Sequence, residues 1–190
     1  MRAKLQLPLL SLVILFFIGS FTTTAAQFPS ATEEHKILQQ EEGEWTAKVK
    51  LFFGPTGPYE KPEESTATET NSMVGPFFIT SDFKANFGGM PFTGHGVFGY
   101  DTASKKYTGM WIDSFGSTPT KMLGTFDAAT KTMTYETTGM GMDGKPMKGK
   151  NVVVYSSKDS RTMTMLMQLP GQDEMAKMME LTYERKKAEK

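Results

Sequence analysis

The sequence predicts an all-β protein: an up-and-down antiparallel barrel of about ten strands, preceded by a short helix. Three observations carry this expectation. Apolar and polar residues alternate with a period of two in run after run, the pattern of half-buried strands. Clusters of Gly, Pro, Asp and Ser separate the runs at short and fairly even spacing, as in sandwiches and barrels. Threonine, which suits a pleated surface, occurs 21 times after Ala26.

The chain opens on a basic segment, Met1-Arg2-Ala3-Lys4, followed by the uncharged run Leu5 to Phe17 and the small residues Thr22-Thr23-Thr24-Ala25-Ala26. This is the three-part layout of a secretory signal peptide, with cleavage expected before Gln27. The rival reading is a membrane anchor, but the second half of Leu5 to Ala26 is rich in Thr, Ser and Ala and matches hydrocarbon poorly. Removing 26 of the 190 residues leaves 164, expected to form one domain over 27–190 with no stable membrane span. The chain has no cysteine and no Asn-x-Ser/Thr acceptor. An exported protein of this kind suits a bacterial periplasm or extracellular space.

Ala31 to Glu42 reads as a helix, with Thr32 as N-cap, Glu33 and Glu34 at the positive end of its dipole, and Gly43 as terminator. Its apolar face, Ile37 and Leu38, is too narrow to anchor a helical domain and fits a lid over something larger. Trp45, Ala47, Val49, Leu51 and Phe53 then alternate with polar positions through Glu44–Phe53. Further strands are expected at Glu64–Val74, Phe77–Phe87, Phe92–Tyr100, Lys106–Ser114, Thr120–Phe126, Thr132–Met140, Gly149–Ser156, Thr162–Leu169 and Met178–Arg185. Short loops join antiparallel neighbours, so a meander is the simplest topology, and closing it into a barrel removes its edges.

Composition excludes several classes. Without cysteine there is no disulfide, thiolate metal site, cysteine nucleophile or lipoprotein cysteine. The 21 basic residues balance 21 acidic ones, and losing Arg2 and Lys4 with the leader leaves 19 against 21, so no basic excess points to nucleic acid.

Gly43-Glu44-Trp45, after a short helix and at the head of the first strand, resembles the G-x-W signature of lipocalin-like (calycin) barrels, in which the Trp packs across the closed end. A longer resemblance runs from Glu33 to Tyr183. Its motifs are Glu34-His35, Pro91-Phe92-Thr93-Gly94-His95-Gly96, Gly99-Tyr100-Asp101, Lys105-Lys106-Tyr107, Gly109-Met110-Trp111-Ile112-Asp113-Ser114 and Leu181-Thr182-Tyr183-Glu184-Arg185. On these the chain is similar to the bacterial domain-of-unknown-function family DUF1579. The resemblance implies a lipocalin-like barrel and supplies no reaction, substrate or catalytic residue. The related haem-binding nitrobindins hold iron with a histidine near the C-terminus. This chain has no histidine after His95, so haem is not implied.

The residues offer eight candidates for binding a ligand: His35, Trp45, Phe92, His95, Tyr100, Trp111, Asp113 and Met165. His35 is expected to hydrogen-bond at the helix–barrel junction or to face a cavity as part of the lid. Around His95, alternation places Phe92, Gly94, Gly96, Phe98 and Tyr100 on one face and Thr93, His95 and Val97 on the other. Glycines so spaced suit either strong coiling of the strand or close approach of a ligand or bulky neighbour such as Trp111. Asp113 shares a face with Tyr107, Gly109 and Trp111 and is expected to accept structural hydrogen bonds. Two distant histidines without cysteine make a metal centre improbable, and no cofactor is expected.

Fourteen of the 15 methionines follow the leader, with Met163, Met165 and Met167 in one strand face. Thioethers fill irregular cores and line pliable cavities. Met140-Gly141-Met142 with Met147 is the nearest approach to a soft copper site, and it carries no histidine. The leading expectation is therefore non-enzymatic binding of a small, largely apolar molecule in the barrel. One alternative is an enzyme using the polar groups around His95, Tyr100 and Asp113, which requires a histidine and a carboxylate to converge in a cavity. The other is a filled barrel acting as an interaction module, which requires a large exposed apolar patch.

Overall fold

A computed structural model describes residues 29–54, 57–141, 144–169 and 171–187. The expected leader and its cleavage site lie outside the described residues, as does Met142 of the methionine cluster. Ten strands follow one helix, α1 (Glu33–Gln39): β1 (Gly43–Gly54), β2 (Gly57–Val74), β3 (Phe78–Phe87), β4 (Met90–Asp101), β5 (Lys106–Asp113), β6 (Thr120–Asp127), β7 (Thr132–Met140), β8 (Pro146–Ser157), β9 (Ser160–Gln168) and β10 (Met175–Arg185). Every sequential pair is antiparallel, and β1 pairs with β10 from Trp45↔Arg185 to Leu51↔Met179, which closes the barrel. The meander and its closure are as the sequence predicts.

Differences are local. The strand expected from Glu64 begins at Gly57, through Pro58 and Pro62, with Phe53 pairing Pro58 across the hairpin. The strands expected from Gly149 and Met178 begin at Pro146 and Met175. The helix is shorter than Ala31–Glu42. Its last residues are held by i→i−3 bonds from Glu41 N to Leu38 O and from Glu42 N to Gln39 O (3.0 and 3.1 Å). Gly43 does not cap it but opens β1 at φ +118, where a Cβ would sit 2.9 Å from the Arg185 guanidinium.

Apolar residues pack inside as two clusters. One gathers Trp45, Ala47, Val49, Ala67, Phe83, Phe87, Leu181 and Tyr183 along β1, β2, β3 and β10. The other gathers Leu38, Ile79, Tyr107, Met122, Met133 and Tyr135 beneath the helix, and Trp111 touches both. Met133 is 1 % exposed and Met163 and Met179 pack on the first cluster, so thioethers do fill core space. Among the described residues no helix is long and apolar enough to cross a membrane.

Candidate functional site

Helix α1 crosses one end of the barrel. Thr32 is its N-cap, and its backbone N–H donates to His35 Nδ1 (3.0 Å). His35 is buried, edge-on to Phe77 and Tyr100 with ring centroids 5.3 and 5.7 Å away. The Tyr107 hydroxyl reaches up to the Glu34 carbonyl (3.1 Å). His35 and Tyr100 thus seat the helix on the barrel.

Below the helix stands a buried ionic cluster. Arg161, at the head of β9, pairs with Glu41 and Glu69 at 2.5 Å each. Its guanidinium stacks on Trp45 and Tyr183, 4.3 and 4.1 Å from their ring centres. Asn71 donates to Glu69 (2.8 Å) and to the Glu41 carbonyl (3.1 Å), and Trp45 Nε1 donates to that same carbonyl (2.9 Å). Tyr155 bonds Glu41 and Tyr183 bonds Glu69. A second guanidinium, Arg185, stacks on Trp45 at 4.1 Å and donates to the carbonyls of Gln40, Glu42 and Lys158.

Charge and burial set the protonation of this cluster. Two carboxylates share one guanidinium. Desolvation raises the Glu41 carboxyl above its ordinary value, and neither Arg161 nor the Tyr155 bond fully offsets it. Burial works against the charged form of Arg161, but Glu41 and Glu69 outweigh it and hold the guanidinium protonated. Burial also pushes the Tyr135, Tyr155 and Tyr183 hydroxyls well up, so they remain neutral donors. An arginine stacked, paired and enclosed in this way is a plug for its end of the barrel.

The opposite half differs. Asn151, Met165 and Met167 stand in register on β8 and β9, in phase with buried Arg161 and Gly149, so they point inward. Thr137 lies beside Gly149 on β7, its hydroxyl 2.7 Å from where a Cβ there would sit. These inward side chains keep partial exposure. Asn151 Nδ2 lies 4.0 Å from the Met122 thioether. Across the barrel the β3–β5 wall is packed with rings: Phe83, Phe87, Phe92, Trp111 and Phe115 follow one another at centroid distances of 5.0 to 6.5 Å. Trp111 lies flush against Gly94 and Gly96, where any Cβ would collide with the indole, so the glycines serve a bulky neighbour rather than a ligand. Asp113 Oδ2 accepts from Trp111 Nε1 (3.0 Å), and Oδ1 accepts from the backbone of Phe115 and Gly116 (2.9 and 3.1 Å), a structural turn.

Of the eight candidates, Trp45 belongs to the plug and is 2 % exposed. Phe92, Trp111 and Asp113 belong to the aromatic wall, and Met165 points inward, part-exposed, in the half away from the helix. His95 is on the outer wall, its Nδ1 2.8 Å from Asp82, beside an open depression of about 430 Å³ bordered by Thr93, Ile112 and Ser114. The histidine–carboxylate pair that the enzymatic reading places in a cavity is therefore outside the barrel. Among the described residues no three His, Asp or Glu side chains are grouped to hold an ion. The sequence reading missed Arg161, Glu41, Glu69, Asn71 and Asn151. The signal was present in phase: Arg161 falls in the Met163–Met165–Met167 face and Glu69 in the Ala67 face, charges where apolar residues belong.

A ten-strand antiparallel meander closed on itself, with a G-x-W tryptophan under an N-terminal helix, is a lipocalin-like barrel. The family described as "Protein of unknown function (DUF1579)" matches residues 30–185, and the chain belongs to it. A search of curated proteins found no match. Among solved structures it is similar to Rv2717c from M. tuberculosis, at 14 % identity and TM-score 0.60, covering 83 % of this chain and 100 % of that one. It is also similar to the S-type phycobiliprotein lyase CPES from Guillardia theta, at 10 % identity and TM-score 0.54, covering 83 % of this chain and 95 % of that one. At these identities the likeness is one of fold.

Proposed function

We propose that this protein, after export, holds a small and largely apolar molecule in the half of the barrel opposite the helix. One observation carries the reading. Thr137, Asn151, Met165 and Met167 point inward yet stay part-exposed, while Arg161, paired with Glu41 and Glu69, is buried at the helix end. Interiors are otherwise close-packed, so inward side chains that solvent reaches mark room for a guest. Barrels of about eight strands have space for one small ligand. The lining is thioether, methyl and amide, which favours apolar contact with a single polar handle at Asn151. Entry is through the end bordered by Met140, Pro146, Gln168 and Met175.

Titration of the exported protein with anilinonaphthalene sulfonate tests this. A saturable 1:1 signal is expected, and Met165→Trp is expected to abolish it by filling the space. No saturable binding, or equal binding by the filled variant, refutes the reading. Mass spectrometry of the exported chain is expected to find Gln27 at its N-terminus.

A further inference from the structure

The outer wall of β3–β6 carries an apolar face that the interior reading leaves unexplained. Phe78, Met110, Ile112 and Leu123 are exposed at 47, 47, 49 and 51 %. The strand register sets them in rows. Phe78, Gly99, Thr108 and Leu123 form one row, with the Phe78 ring lying over Gly99. Thr80, Val97, Met110 and Lys121 form the next, and Asp82, His95 and Ile112 the third.

These rows are self-complementary about an axis between β4 and β5, parallel to the strands. Such a two-fold exchanges β3 with β6 and β4 with β5 and leaves each row in place. It sets Phe78 against Leu123 of a second copy and Val97 against its Met110. His95 meets its Ile112. Lys121 of the second copy falls beside Thr80, one residue pair along β3 from Asp82, within reach of that carboxylate. Asp82 already accepts from His95 and has a free oxygen for a second partner, and among the described residues Lys121 has no ion pair. We propose that this face joins two copies of the chain, through the apolar rows with a Lys121–Asp82 pair at each side.

The expected strength follows from size. Four strands about 4.8 Å apart and three rows about 7 Å apart outline roughly 400 Å² per copy. That is about 800 Å² in total, at the weak end for specific association. The dimer is therefore expected to form reversibly with concentration rather than as a permanent unit.

Sedimentation velocity of the exported protein, from about 10 μM to about 1 mM, tests this. The weight-average mass is expected to climb from one copy toward two. Met110→Lys is expected to hold it at one copy across the range, with unchanged circular dichroism. Asp82→Lys is expected to weaken association, and Asp82→Lys combined with Lys121→Asp to restore it. A protein that stays at one copy at every concentration overturns the proposal. So does association that survives both Met110→Lys and Leu123→Lys, which would place the contact on another face.

Discussion

Replacing Arg161 with Met removes the cation that two buried carboxylates share and keeps much of the apolar stem. Removing one partner of a buried ion pair costs about 3–5 kcal/mol, because the charge left behind is unsolvated. Here Glu41 and Glu69 are both left, and the stacking on Trp45 and Tyr183 is lost as well, so a value near the upper end, about 4 kcal/mol or more, is expected. With an m-value of about 2 kcal/mol per molar urea, the midpoint falls by roughly 2 M. Two controls separate unpaired charge from lost packing. Adding Glu41→Gln and Glu69→Gln is expected to recover most of the loss, since Asn71, Tyr155 and Tyr183 still serve the amides. Acidification is expected to shrink the deficit of the single variant, because protonation neutralises the stranded Glu41 carboxyl, which burial already raises. A loss below about 1 kcal/mol, or a triple variant as unstable as the single one, would refute the charge argument.

Other perturbations follow from the same geometry. Gly94→Ala places a Cβ 2.1 Å from the Trp111 ring, which Phe83 backs, so overpacking of about 1–3 kcal/mol and a changed near-UV circular dichroism spectrum are expected. Arg185→Ala frees the carbonyls of Gln40 and Glu42, and amide hydrogen exchange over 33–42 is expected to accelerate while the strands stay protected. Glu41, with its carboxyl raised in the folded state, makes the native protein bind the proton more tightly than the unfolded chain. Its contribution is full below the ordinary value of 4.5 and is lost as pH rises through the raised one, so Glu41→Gln is expected to flatten the urea midpoint's fall with pH above 4.5. An unchanged slope contradicts the assignment.

The strand order was legible because period-two patterning and turn chemistry are local. Trp45, Ala47 and Val49 announce an inward face without reference to any other strand. The first part of β2 was not legible, since Tyr59-Glu60-Lys61-Pro62 shows no alternation and its prolines argue against a ladder. There the strand is extended by its hairpin partner, Phe53 opposite Pro58, which is information from a neighbour rather than from the segment. The plug fails to read for the same reason at longer range. Glu69 and Arg161 are 92 residues apart, and only closure of β1 on β10 brings β2 and β9 within reach of one another. A charge in phase with an apolar face was the one local trace.

That closure also gives the barrel a direction. A meander alone has two equivalent mouths. The sequence breaks the equivalence by placing five polar interior groups at the helix end: Glu69 and Asn71 late in β2, Tyr155 late in β8, Arg161 second in β9, Tyr183 late in β10. In an up-and-down barrel the late residues of even strands and the early residues of odd ones share one rim, so the five meet there, with Arg161 paired to Glu69 and Asn71 donating to the same carboxylate. The other half is left with thioethers, threonines and one amide, groups that lose little when water leaves and demand no fixed partner. Sealing and openness thus follow from one arrangement, in which polar groups concentrated at one rim free the opposite half from supplying partners for buried charge.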